Sequence, residues 1–192
     1  MAFLSQEQLD AMGFARVGKH VLVSDKCSFY NCAAISIGNH VRIDDFCVLS
    51  AGDGGIEIGD HVHIAVYSSL MGGGRITLGD FSGLSSRVSV YSSSDDYSGA
   101  SMTNPTVPDD FKHVQTAPVD IGRHVIIGAG SVVLPGVTLG QGAAIGALSL
   151  VTKRCDEFGI YSGVPARRIK ARKRALLELE QRLRAESGGA DA

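Results

Sequence analysis

The chain has little of what directs a protein to nucleic acid, to membranes or to a metal ion. Its 192 residues carry a net charge of −2, which gives no general attraction to nucleic acid or to a lipid surface. We expect neither a signal peptide nor a membrane span, because residues 1–14 hold acids and glutamines where an apolar run would be needed. The four cysteines are not spaced like a metal site, and we expect a reducing, cytoplasmic location.

What the sequence has instead is a hydrophobic residue at every sixth position. The unbroken part of this pattern is formed by Ile121, Ile127, Val133, Leu139, Ile145 and Val151. A period of six fits neither an amphipathic helix nor a strand that alternates between two faces. It does fit a three-sided coil in which each side is one short strand plus a turn, and this repeat predicts a parallel β-helix.

The same pattern continues towards the N-terminus in coils of about twenty residues. Successive coils begin at Val17, Ile37, Ile58 and Leu78, with spacings of 20, 21 and 20 residues. Glycines cluster on the third sides of these coils, where the backbone must turn sharply. The sequence therefore predicts an all-β solenoid of about six coils.

Both ends of the repeat are expected to be helical. Ser5 and Gln8 form a capping box, so a short helix is predicted to cover the open first coil. Leucines on one stripe predict a second helix from about residue 168 to residue 186, and ten of the 18 Lys and Arg residues make this end basic. We expect three parts: a helical cap (1–16), a β-helix (17–165) with a protruding loop (91–119), and a basic helix with its tail (166–192).

The predicted loop at residues 91–119 interrupts the hexads. A loop of nearly thirty residues is costly to order and is usually functional. It carries acids, a tyrosine and a histidine, and we expect Asp96, Tyr97 and His113 to bind substrate. A tolerated surface insertion is the alternative.

Hexads, one protruding loop and the exit from the last coil together resemble the hexapeptide-repeat acyltransferases, especially the galactoside and maltose acetyltransferase branch. The most specific feature is the run Gly-Val-Pro-Ala-Arg-Arg-Ile at residues 163–169, which closely matches the family's Gly-x-Pro-Ala-basic-x-Ile ending. The resemblance implies a left-handed parallel β-helix that forms a homotrimer. It also implies three active sites, each binding acetyl-CoA in a cleft between neighbouring subunits.

Six positions match cofactor contacts of that family, and no metal is expected. They are Ala129, Ala147, Thr152, Lys153, Arg167 and Lys170. At the two alanines, a larger side chain would keep the pantetheine arm of acetyl-CoA away from the main chain. The resemblance implies that Arg167 and Lys170 meet the nucleotide phosphates, since charge-assisted hydrogen bonds to phosphate are strong.

The residues that this branch uses to activate its acceptor are missing. Asp95 stands where the branch places a histidine base at the start of the loop, and Ala65 stands where it places an assisting asparagine. His63 precedes the inward Ile64, so alternation sends His63 to the outer face that Ala65 also meets. We expect Asp95 and His63 to form a substitute catalytic pair, with a structural His63 as the alternative.

The other histidines of the repeat are expected to stack with Phe81 in a structural column: His20, His40, His61 and His124.

The missing histidine favours an amine as the acceptor. A hydroxyl needs a positioned base before it attacks, whereas a neutral amine can attack a thioester unaided and lose its proton later. Asp95 can orient an ammonium group and accept that late proton. We therefore expect N-acetylation of a nucleotide-linked amino sugar, as in the making of O-antigen or capsule polysaccharides.

Three alternatives stand beside this hypothesis. One is a sugar O-acetyltransferase of the galactoside type, with His63 as the base. Another is a non-catalytic β-helical scaffold, against which the apparent cofactor positions argue. The third is a zinc carbonic anhydrase-like trimer, which typically pairs two loop histidines five positions apart, and the sequence has no such pair.

Overall fold

The computed structural model describes residues 2–187, in which three parallel sheets form the faces of a solenoid. The first face consists of Arg16–Val17, Ile35–Ile37, Ile56–Ile58, Ile76–Leu78, Val119–Ile121 and Thr138–Leu139. The second face consists of Leu22–Val23, Arg42–Ile43, His63–Ile64, Gly83–Leu84, Ile126–Ile127, Ala144–Ile145 and Gly159–Ser162. The third face consists of Ser28–Tyr30, Val48–Ala51, Ser69–Gly72, Ser89–Tyr91, Val132–Val133 and Leu150–Val151.

The solenoid makes six complete coils and begins a seventh. The second face has seven parallel strands, whereas the first and third faces have six each. The six hexad positions from Ile121 to Val151 are all at most 3% exposed, so they form the core as the period predicted. Burial of these stacked aliphatic side chains is the main stabilising contribution. The predicted all-β parallel solenoid of about six coils is confirmed.

A column of aromatic rings lies on the first corner, where each coil turns from the first face to the second. It consists of His20, His40, His61, Phe81 and His124. All five have left-handed backbone with φ between 54° and 58°, and adjacent ring centroids are 4.7 to 5.1 Å apart. Left-handed backbone costs an L-residue about 1–2 kcal/mol, and favourable ring stacking offsets part of that cost. The predicted structural column is therefore confirmed.

The N-terminal helix α1, Gln6–Ala11, begins with the expected capping box. The Ser5 hydroxyl accepts a hydrogen bond from the Gln8 nitrogen, and the Gln8 side-chain oxygen accepts one from the Ser5 nitrogen. Leu9 is 1% exposed and is part of the hydrophobic core. The helix is thereby anchored to the core of the solenoid.

The C-terminal part differs from the expectation of helix from about residue 168. Residues Arg167–Ala171 form a strand that pairs antiparallel with Gly159–Ser162, the last strand of the second face. This strand satisfies the backbone groups of an edge that would otherwise be exposed, which outweighs the helical pattern. Helix α2 begins later, at Leu176–Ser187, and residues 188–192 of the expected tail lie outside the described residues.

Helix α2 lies against the first corner through a buried glutamate. Glu180 is 9% exposed and accepts hydrogen bonds from Arg123 and, at 2.7 Å, from Arg184. His124 Nε2 lies 2.6 Å from the same carboxylate.

Among residues 2–187, no helix is both long and apolar enough to cross a membrane.

The loop between the fourth and fifth coils has structure of its own. Its two ends pair as antiparallel strands, Ser93–Ser94 with Gln115–Thr116. A short 3-10 helix, Asp109–Phe111, lies near its far end, where Met102 bridges Lys112. The loop therefore leaves the solenoid after the third-face strand Ser89–Tyr91 and re-enters it before the first-face strand Val119–Ile121.

Candidate active site

The second corner, where each coil turns from the second face to the third, carries the alanines predicted to contact the cofactor. The nitrogen of Gly130 donates to the Ser86 carbonyl, and the nitrogen of Leu148 donates to the Ala129 carbonyl at 2.8 Å. Ser86, Ala129 and Ala147 therefore hold equivalent positions in successive coils, which we call the corner column. Ala129 and Ala147 are exposed, so this part of the column presents mainly backbone to solvent.

The other four predicted cofactor residues lie at the C-terminal end of the solenoid, and all are exposed. Thr152 and Lys153 follow the last strand of the third face. Arg167 and Lys170 lie on the antiparallel strand Arg167–Ala171. This end therefore combines exposed backbone on the corner column with exposed positive charge.

A cavity of about 300 Å³ opens on the second face, beside the N-terminal end of the corner column. Its lining residues are His63, Ala65, Gly83, Leu84, Ser85, Ser86 and Ile126. Gly83 pairs in register with His63 on one side and Ile126 on the other. Because Gly83 has no side chain, a gap remains between the side chains of these two neighbours, and we call this cavity the Gly83 gap.

His63, one wall of the Gly83 gap, is held by an aspartate of the preceding coil. The His63 Nε2 atom lies 2.8 Å from Asp44 Oδ2, and the Arg42 Nε atom donates to Asp44 Oδ1 at 2.7 Å. Burial alone would raise the pKa of Asp44, but hydrogen bonds from Arg42 and His63 outweigh it and lower that pKa. Asp44 is therefore an ionised partner that fixes the orientation of the half-exposed imidazole.

The loop residue Asp95 lines a second cavity of about 410 Å³ on the third face. The residues around it come from the end of the fourth coil, from the loop and from the fifth coil: Tyr91, Ser93, Ser94, Tyr97, Val132, Leu134 and Pro135. Within residues 2–187 no hydrogen bond reaches the Asp95 carboxylate; only its backbone carbonyl accepts one, from Ser94. A half-buried carboxylate without a hydrogen-bond partner among the described residues is suited to binding a cation from outside.

Asp96, predicted to bind substrate, is engaged within the loop. Its carboxylate accepts hydrogen bonds from the Ser98 nitrogen at 2.8 Å and from the nitrogen and hydroxyl of Ser101. These bonds from Ser98 and Ser101 lower the pKa of Asp96 to about 2. Asp96 therefore shapes the loop. Tyr97, at 93% exposed, and His113 are open to solvent.

The predicted pair of His63 and Asp95 is not assembled within one chain, because the two residues line cavities on different faces. Sequence reasoning missed Asp44 and Ser85. Both hold the same coil position as Ala65. Each of the three residues directly follows an inward aliphatic residue, and the backbone nitrogen of each donates a hydrogen bond to the next coil. Comparing that position between coils would have revealed them. Residues 2–187 contain no group of three His, Cys, Asp or Glu side chains placed to hold a metal ion.

Comparisons with known proteins agree with the fold and with membership of an acyltransferase family. Residues 118–153 match the family described as bacterial transferase hexapeptide (six repeats). The dTDP-4-amino-4,6-dideoxy-D-glucose acyltransferase of Escherichia coli is 57% identical over 180 residues, which are 94% of each chain. A crystal structure of AntD, an N-acyltransferase from Bacillus cereus, has a TM-score of 0.93 and 49% identity, covering 97% of this chain and 98% of that one.

The similarity to the galactoside branch is more local. Galactoside O-acetyltransferase of Escherichia coli strain K12 is 45% identical over 53 residues, which are 28% of this chain and 26% of that protein. Identity that extends over nearly the whole chain is therefore with an acyltransferase of a nucleotide-linked amino sugar and with the N-acyltransferase AntD. The chain belongs to the hexapeptide-repeat acyltransferases, acyl-CoA-dependent enzymes, as its hexads and its exit motif predicted.

Proposed function

We propose that this protein transfers an acyl group from acyl-CoA, such as acetyl-CoA, to the amine of dTDP-4-amino-4,6-dideoxyglucose or a similar nucleotide-linked sugar. The observation that carries this proposal is the 57% identity along 94% of the Escherichia coli acyltransferase of that sugar. AntD supports it, since its crystals hold dTDP with 3-hydroxybutyryl-CoA and, in two variants, dTDP-4-amino-4,6-dideoxyglucose with coenzyme A.

Two residues of the site have counterparts by spacing in AntD. That protein has been crystallised with one serine replaced and, separately, with an aspartate ten positions further along replaced. In this chain two serine–aspartate pairs whose aspartate lies in the loop stand ten positions apart, Ser85 with Asp95 and Ser86 with Asp96. Asp96 is engaged by Ser98 and Ser101 within the loop, so we take Ser85 and Asp95 as the pair that is open to substrate. Ser85 lines the Gly83 gap and Asp95 lines the loop cavity. We therefore assign the acyl-transfer site to Ser85 and Asp95, and not to His63 and Asp95 alone.

The proposed chemistry needs little from the protein beyond positioning. Asp95 attracts the sugar ammonium, and once neutral the amine attacks the thioester carbonyl. In this proposal the Ser85 hydroxyl donates to the carbonyl oxygen as negative charge develops on it. The C–N bond forms, the C–S bond breaks, and the amine's surplus proton passes through Asp95 to solvent or to the departing CoA thiolate. In this scheme Tyr97 and His113 contact the acceptor from the loop.

A direct assay tests the proposal. The purified protein is mixed with acetyl-CoA and dTDP-4-amino-4,6-dideoxyglucose, and CoA release is followed together with the mass of the sugar nucleotide. We expect one acetyl group to be added at the amine. The control is dTDP-glucose, which has hydroxyls at C4 and C6 where the acceptor has its amine and a methyl group. Acetylation of the control alone would refute the proposal, and binding of acetyl-CoA without transfer to either sugar would favour a scaffold.

A hydroxyl acceptor is the second candidate, and one observation favours it. The hydrogen-bonded chain from Arg42 through Asp44 to His63 is the type of arrangement that a base for hydroxyl activation requires. The same dTDP-glucose control addresses this alternative.

We also propose that the protein acts as a trimer, because Ser85 and Asp95 lie on different faces of one chain. Threefold packing would bring Asp95 of one copy to the Gly83 gap of the next. We expect light scattering at micromolar concentration to give the mass of three chains. A stable, active monomer would contradict this shared site.

The proposed donor path along the corner column makes a separate prediction. The six predicted cofactor positions remain the assignment: Ala129 and Ala147 beside the pantetheine arm, Thr152 and Lys153 as further contacts, Arg167 and Lys170 at the phosphates. Ala147→Tyr should lower acetyl-CoA affinity at least about tenfold, since its exposed site leaves the core untouched. Calorimetric titration measures this change, and equal affinity for both proteins would place the donor elsewhere.

We place the reaction in the cytoplasm, as a step towards a surface polysaccharide. The four cysteines are free thiols in the structure, which suits a reducing compartment. An acylated nucleotide sugar is an activated precursor that a glycosyltransferase reaction would consume.

A further inference from the structure

Gly83 is a glycine that the fold does not require. A Cβ atom built on it meets no heavy atom within 4 Å, and its φ lies outside the left-handed region. Among the glycines at positions 2–187, Gly83 alone combines open space with ordinary backbone. Glycine weakens a strand because it adds chain entropy and packs nothing, and in strands it often marks close approach of a ligand.

The missing side chain changes the outer surface of the second face at one point. In its strand pairs, Gly83 takes the same outward position as His63 on one side and Ile126 on the other. A side chain there would fill much of the 300 Å³ between these two walls. Ile126 is 46% exposed, so the far wall of the gap offers an apolar contact. The space is therefore suited to a small chain that is largely apolar.

The position of the gap indicates which substrate group enters it. Ser86 lines the gap and also continues the corner column towards the N-terminus, one coil beyond Ala129. Coils are stacked about 4.8 Å apart. Ser86 is thus only one coil spacing beyond Ala129. A pantetheine arm that runs along Ala147 and Ala129 and continues by that one spacing brings its thioester to Ser86. The acyl chain then points into the gap, while the sugar reaches the thioester from the side of Asp95.

We propose that Gly83 sets the length of the acyl group, and that the gap accepts chains longer than acetyl, up to about four carbons. This inference rests on the proposed function for the direction of the donor. It assigns to Gly83 a role in donor choice and leaves the acceptor to the loop. Ile126 and His63 are the walls that bound the chain.

The experiment compares butyryl-CoA with acetyl-CoA as donors for the wild type and for Gly83→Val. We expect the ratio of kcat/KM values, butyryl-CoA over acetyl-CoA, to fall at least about tenfold in the variant, since a methylene group in a tight pocket changes selectivity about 10- to 200-fold. Gly83→Ala should lower the same ratio by less. Ser36→Val is the matched control, because Ser36 takes an outward strand position on the first face. It should leave the ratio unchanged.

Binding without acceptor separates this inference from the proposed function. Calorimetric titration gives the Kd of each donor. The ratio of Kd values, butyryl-CoA over acetyl-CoA, should be at least about tenfold higher for Gly83→Val than for the wild type. That result supports the inference even if no amino sugar is acylated. An unchanged donor ratio in both assays would overturn it. A higher acceptor KM with an unchanged donor ratio would overturn it too, because the gap would then hold the sugar.

Discussion

Replacing Asp95 by asparagine is expected to lower kcat/KM for the amino sugar at least about a hundredfold, a loss of about 2.7 kcal/mol of transition-state stabilisation. The substitution keeps the size of the side chain and removes the charge that attracts an ammonium group. The Asp95 carboxylate has no hydrogen-bond partner in its own chain within residues 2–187, so little rearrangement should follow. Steady-state kinetics with varied acceptor measures the effect, and most of it should be a higher acceptor KM.

The matched comparison is His63→Ala. If the acceptor is an amine, this change should reduce turnover only slightly, because the amine needs no general base to attack. Activity of the wild type and of the variant should then rise together with pH as the sugar ammonium loses its proton. A His63→Ala enzyme that is inactive beside a nearly normal Asp95→Asn enzyme would reverse the assignment. His63, oriented by Asp44, would then be a base for a hydroxyl.

The fold could be predicted from the sequence because the six-residue period of hydrophobic residues identifies the side chains that face inward. Each hexad position from Ile121 to Val151 is buried as expected. The ring column was equally predictable, since His20, His40 and His61 recur at one position of each coil and adjacent coils stack in register. Repetition therefore fixes both the core and the corners.

The strand Arg167–Ala171 could not be predicted in this way. It lies after the last repeat, and its partner is the exposed edge of Gly159–Ser162. Lys and Arg side chains with scattered apolar residues suit an edge strand as well as a helix. Only the three-dimensional position of the open edge decides between them, because unpaired edge groups gain hydrogen bonds from any extended segment that reaches them.

The sequence offers candidate site residues, but it does not give the side-chain partners that those residues have in the structure. Asp95 and His63 were expected as a pair, but His63 contacts Asp44 of the preceding coil. Periodicity states which position a residue takes and says nothing of which charged neighbour its side chain selects. That choice depends on side-chain rotamers and on burial, as Asp44 shows by hydrogen bonding to both Arg42 and His63.

Glycines show the same division between fold and function. Gly83 faces open space, whereas a Cβ on Gly128 would lie against the Ala147 nitrogen, 2.7 Å from the Gly146 carbonyl carbon and 2.8 Å from the Ala147 Cα. Real Cβ atoms essentially never come within 3.0 Å of such atoms. The two residues look alike in the sequence, yet one is required by the stacking of coils and the other is not.

Gly128→Ala is therefore expected to destabilise the protein by at least about 3 kcal/mol, the upper range for an overpacked interior. The new methyl group would have to push apart two coils that are joined by the hydrogen bond from the Gly128 nitrogen to the Ile145 carbonyl, 2.8 Å long. For a chain of this size the melting temperature should fall about 6–12 °C. Gly83→Ala, followed by thermal unfolding under the same conditions, is the control and should melt close to the wild type. Equal melting of the Gly128→Ala variant and the wild type would mean that the second corner yields to a methyl group. The exposed backbone of the corner column would then be too soft to hold a pantetheine arm in one place.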